Sequence, residues 1–292
     1  MRRMFGTILV LVFGPSLLSF AALADGCMVA RKGVTLRVPE QTALIVLRDG
    51  WEDLVISVRY DGAPEEFGWI VPVPSVPELF AEDQELFELL RRATEPFERP
   101  RREAPNHRRF GMMAAGATTV LKEEAVGVFD ACVLRSTDGA DLESWLKQHD
   151  FVVPPGGQKV LDRYIARGWV FAAFKIRPGG ERGVIQPVRL RFRSEKPIFP
   201  LEISSIPGTP AEVVLYCVSH HGYLEPTGFP LDRWVSSHHA GSGRRFGFRD
   251  YSSPEPSPEF PPPWDGEYYL SKHRAVLQAG EMKDVIFEPS RW

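Results

Sequence analysis

Residues 42–48, TALIVLR, are almost wholly apolar, and a continuous apolar run of that length reads as a buried β-strand. The run LVISVRY that follows alternates instead. Leu54, Ile56, Val58 and Tyr60 fall on one face and Val55, Ser57 and Arg59 on the other, the pattern of a half-buried antiparallel strand. After the turn DGAPEE, Phe67, Trp69, Val71 and Val73 share one face of a further strand. Pro72 and Pro74, two apart, remove amide donors from the same side of it, so its last residues pair fully on one side only and leave an edge. Ser75 with Glu78 then has the spacing of a capping box, which predicts a helix over 78–94 closed by Pro96.

Beyond residue 117 the same two periods alternate. Residues 125–136 read as a strand. Residues 137–151 read as a short helix capped by Asp138, with Leu142, Trp145, Leu146 and His149 on one stripe. A second helix over 156–168 ends at Gly168, which suits a left-handed cap. Strands follow at 169–176, 188–193, 198–204 and 211–219. In VRLRFR the residues Arg189, Arg191 and Arg193 stand on one face as a solvated ladder that could also hold an acidic ligand. Two stretches lack periodicity and are expected as irregular loops: 98–117, with five arginines, and 236–266, rich in Gly, Ser and Pro. The expected fold class is α+β, predominantly antiparallel sheets with a few short helices, with room for two β-rich lobes.

The N-terminus changes where this fold is expected to work. Arg2 and Arg3 precede an apolar run from Phe5 to Leu23, and Ala22-Leu23-Ala24 supplies the small residues of a cleavage site, so residues 1–24 read as a secretory signal peptide. Gly14 and Pro15 interrupt the run, and no later stretch is long and apolar enough for a membrane span. The expected product is an exported chain, periplasmic or extracellular, with one domain over 25–290. Without the two leader arginines, 33 basic against 38 acidic residues leave a net charge of −5, which gives no reason to expect nucleic acid as a partner. The three cysteines, Cys27, Cys132 and Cys217, all lie in the exported part, where one disulfide among them is expected, with three pairings open.

The segments TALIVLRDGWEDLVISVRYDG, WIVPVP at 69–74, VGVFDACVL, YIARGWVFAAFKI at 164–176 and YLSKHRAVLQAGEMKDVIFE together resemble an exported bacterial family, domain of unknown function 2330. That resemblance implies export and a shared fold. It carries no agreed activity and therefore no catalytic residues. Relatives often carry paired cysteines at the mature N-terminus, where this chain has Cys27 alone.

Candidate chemistry concentrates in CVSHHGYLEPTGFPLDRWVSSHH, residues 217–239. Neighbours on a strand point to opposite faces, so His220/His221 and His238/His239 each offer one ligand unless a strand ends between them, with Cys217 or Glu225 as further donors. That count falls short of a closed zinc site, and no zincin or zinc-finger spacing is present. There is no nucleophile elbow, phosphate loop or dinucleotide fingerprint, and no cofactor is expected. The reading is a non-catalytic binding or envelope-associated module, with Trp69, Pro72, Pro74, Arg189, Arg191 and Arg193 as a partner surface. The alternative is a periplasmic or secreted hydrolase, either metal-free or metal-dependent through His221 and His239.

Overall fold

The computed structural model describes residues 27–30, 40–58, 67–95, 118–149, 153–176, 186–228, 233–242 and 267–290. The segments 1–24, 98–117 and 243–266 lie outside them. In chain order the elements are β1 (Cys27–Ala30), β2 (Gln41–Arg48), β3 (Trp51–Val58), β4 (Phe67–Val73), β5 (Glu78–Ala81) and α1 (Glu85–Thr94). Next come β6 (Thr119–Val126), β7 (Phe129–Arg135), α2 (Gly139–Gln148), α3 (Gly157–Ala166), β8 (Val170–Ile176) and β9 (Val188–Arg193). The chain continues with β10 (Ile198–Phe199), β11 (Ala211–Ser219), β12 (Leu224–Thr227), β13 (Val235–Ser242), β14 (Glu267–Leu277) and β15 (Val285–Pro289).

Three sheets result, with strand orders β1-β4-β8-β7-β6, β13-β14-β11-β2-β3-β9-β5 and β10-β15-β12. Every pairing is antiparallel except β11 with β2. The fold is thus α+β and predominantly antiparallel, as the pattern of the chain predicts. The alternation sorts the layers. Leu54 and Ile56 of β3 face a core shared with Trp69, Val71, Phe129 and Phe174 of the five-stranded sheet and Val285 and Phe287 of the small one. Val55 on the opposite face joins Leu44, Tyr216 and Leu270 beneath Leu86 and Leu90 of α1. The outer face of the five-stranded sheet, through Ile70 and Phe171, is covered by Leu142 and Leu146 of α2 and Leu161 and Tyr164 of α3. Asp138 caps α2 by accepting the Asp141 amide at 2.8 Å, and Gly168 past the end of α3 has φ +75°.

Several expectations are corrected. The helix predicted over 78–94 splits: Glu78–Ala81 pairs with Arg191–Val188 as a strand that points Leu79 into the shared core, and helix begins only at Glu85. Ser75 caps nothing, because its hydroxyl exchanges hydrogen bonds with the backbone of Arg193, while Asp83 accepts the Glu85 amide instead. The strand expected over 125–136 is a hairpin folded at Gly127 (φ +53°), where a Cβ would lie 2.1 Å from Gln186 Oε1. Of 198–204 only Ile198–Phe199 is strand, and Leu201–Ser205 coils into a 3₁₀ turn after Pro200. The expected loop at 236–266 begins as strand β13, paired with β14 from Val235↔Arg274 to Ser242↔Glu267.

The expected partner surface is largely interior. Trp69 is 2% exposed and packs on Phe129 and Phe174, with ring centroids at 6.4 and 5.3 Å. Pro72 is buried, since β8 pairs with β4 through Val73. Among the described residues β1 pairs with β4 from Phe67 to Ile70. Arg189 is fully buried, donating to Glu82 at 2.7 Å and Asp53 at 3.1 Å, with its guanidinium 4.1 Å over the Phe80 ring. Arg191 and Arg193 lie over Trp51. The expected disulfide is absent at Cys132 and Cys217, which are both free thiols. Cys217 sits in the core between the sheets, whereas Cys132 packs on the helix side of the five-stranded sheet.

Candidate functional site

The histidine-rich stretch lies at the β13 end of the seven-stranded sheet, where the small sheet crosses it. β11 ends at Ser219, whose hydroxyl accepts the His221 amide at 3.0 Å, and Gly222 turns the chain at φ +116°. The chain then enters β12, held on β15 from Leu224↔Pro289 to Thr227↔Ile286, with the Ser290 amide donating to the Tyr223 carbonyl at 2.7 Å. Because the strand has already ended, His220 and His221 escape the alternation rule and line the same cleft.

That cleft, about 490 Å³, is lined by His220, His221, Gly222, Tyr223, His238, Tyr269 and Ser290. Tyr223 and Tyr269 meet edge to face with centroids 5.1 Å apart, and the His238 ring is 4.7 Å from Tyr223. His238 Nε2 donates to the Glu225 carboxylate. Alternation does hold on β13. His238 shares its face with Ser236, whereas His239 turns to the other side, towards Ser237 and Lys272, where partial burial, then His238 and Lys272, lower its pKa. The pair His221/His239 therefore does not converge, which removes the ligand pair of the metal-dependent alternative. Among the described residues no three His, Cys, Asp or Glu side chains are grouped as a metal ion would require.

Behind the cleft His273 is fully buried. Its Nε2 donates to the Leu224 carbonyl at 2.7 Å and its Nδ1 accepts from Ser236 Oγ at 2.8 Å. Burial holds its pKa below the usual histidine range, against the pull of Glu225, so the imidazole is neutral and both bonds are satisfied. Ser271 Oγ also donates to the Leu224 carbonyl, at 2.8 Å, so side chains of β14 tie down the crossing strand. Neither described thiol is poised as a nucleophile. Burial pushes Cys132 up to about 12 and Cys217 well above the ordinary thiol range.

Sequence reasoning located His220, His221, His238 and Glu225 but missed Tyr223, Tyr269, Ser290, Ser236 and His273. The tyrosine and glycine of HHGY, directly after the histidines, were the available signal. Tyr269 and Ser290 are brought in only by the pairings of β14 and β15.

The fold and site define an α+β protein of stacked antiparallel sheets with an open histidine–tyrosine cleft at one sheet end. The chain belongs to a family described as an uncharacterized protein conserved in bacteria (DUF2330), whose model matches residues 19–238 and so includes the cleft histidines but not Tyr269 or Ser290. Among solved structures, it is similar to baculovirus P35, at 13% identity and a TM-score of 0.37, over 88% of this chain and 98% of that one. No curated protein matches. No helix among the described residues is long and apolar enough to cross a membrane.

Proposed function

We infer that the protein is exported and acts outside the cytoplasm as a non-catalytic binding module, with the cleft between β11, β12, β13 and β14 as its binding site. The observation that carries this reading is the cleft itself. Its volume of about 490 Å³ falls in the range of roughly 300–1,000 Å³ typical of small-molecule sites, and it combines aromatic walls with convergent polar groups. The hydrolase alternative finds less support. Ser236 and His273 have the contact of a nucleophile and base, but His273 is buried with its other ring nitrogen held by the Leu224 carbonyl, so it is not aimed at a leaving group in the cleft.

Two measurements test the reading. The mass of the protein recovered from the culture medium or periplasm should correspond to a chain starting at Asp25. The purified protein should be stabilised by a ligand of the cleft without turning over ester, phosphoester, peptide or glycoside reporters. Turnover that disappears in Ser236→Ala or His238→Ala would replace this reading with the hydrolase.

A further inference from the structure

Resting on the cleft as binding site, we propose that its ligand is a neutral polyhydroxylated molecule, a sugar of one or two rings. Three features lead there. The first is charge. No Lys, Arg, Asp or Glu lines the cleft among the described residues, and Glu225 is engaged by His238. Lys272 projects from the opposite face of β14 to Glu95 at 2.5 Å. Among the described residues neither an anion nor a cation meets an unengaged fixed countercharge there.

The second is the polar inventory. Imidazoles and two phenols line the cleft, and their water-facing donors and acceptors would go unbonded against an apolar ligand. Ser290 is the sharpest case. Its Oγ is buried and has no hydrogen-bond partner among the described residues, a state that costs stability unless something arrives to bond it. A ligand hydroxyl that displaces what covers the Oγ can both donate and accept there.

The third is the pair of tyrosines. Aromatic faces carry negative charge density and attract the weakly positive C–H edges that one side of a sugar ring presents. The cleft volume accommodates one or two such rings.

Calorimetric titration of the purified protein with methyl glucoside, N-acetylglucosamine disaccharide, inorganic phosphate and tetramethylammonium tests this. Saturable binding of a sugar is expected. Tyr269→Ala should weaken it about tenfold, the cost of one aromatic wall. Ser290→Ala should weaken it about two- to tenfold while leaving the melting temperature unchanged or higher, since the hydroxyl has no partner to lose among the described residues. A purely structural Ser290 would move stability and leave affinity alone. If phosphate or tetramethylammonium binds with this sensitivity and the sugars do not, the ligand class is overturned and the cleft stands. Sugar binding indifferent to both substitutions, or no binding by any probe, overturns the cleft as well.

Discussion

The two ends of the seven-stranded sheet each carry a polar cluster, and they differ in how completely it is satisfied. At the β5 end, Arg189 is enclosed by Asp53, Glu82 and the Phe80 ring with no exposed surface. At the β13 end, His220, His221 and His238 line a cleft beside a hydroxyl that has no partner among the described residues. A closed ion cluster has no bonding capacity to offer a ligand, so its effect is on the stability of β3, β9 and β5. An open, incompletely bonded cluster gives up stability and keeps capacity for binding. The contrast, more than residue type, separates structural polarity from functional polarity here.

The largest expected effect breaks the closed end. Arg189→Ala strands the buried carboxylate of Asp53 and the partly buried one of Glu82 and should cost about 3–5 kcal/mol in denaturant unfolding, the usual result of removing one partner from a buried ion cluster. A cost as small as that of a surface substitution would mean the cluster is hydrated. Next comes the pH dependence of stability, where the two ends have opposite signs. His273 is neutral when folded and titrates near 6.5 when unfolded, so stability is complete above about pH 6.5 and falls below it as the unfolded state takes up the proton. His273→Gln should flatten that acid limb.

Glu52, on the core face of β3, has the reverse sign. Burial holds its carboxyl well above the usual range while Oε2 accepts the Ile198 amide at 3.0 Å. Its contribution is therefore complete below about pH 4.3 and is lost as pH rises towards the folded value. Asp53 and Glu82, raised by burial despite Arg189, add to the same limb, so Glu52→Gln should remove part of the slope. The smallest effect belongs to the open end. His221→Ala should change stability by no more than about 0.5 kcal/mol, because the side chain is exposed.

What the sequence discloses depends on whether the partner of a residue is near in the chain. The strands β2, β3, β8 and β11 and the Asp138 cap were legible because period and capping are local. Strand β13 was not. Its core-side neighbours Ser271 and His273 are themselves polar, so SSHHAGS shows no apolar alternation and passes for a linker. The strand β5 was hidden by a helical sequence running on from it, and its partner β9 lies more than a hundred residues away. Arg189 looked like the wet face of a sheet for the same reason, since Glu82 is separated from it by 107 positions. The histidine pairs stood out, yet the tyrosine and serine that make a cleft of them arrive from β14 and from the residue just past β15.

The most direct test follows the imidazole signals of the seven histidines by NMR while the protein is titrated with the sugar, phosphate and tetramethylammonium probes. If the cleft is the binding site, at least one probe shifts His220, His221 and His238 saturably. His149, stacked on Trp145 at 3.8 Å across the molecule's helical face, then stays still. Saturable shifts confined to residues outside the cleft, or none with any probe, would contradict it.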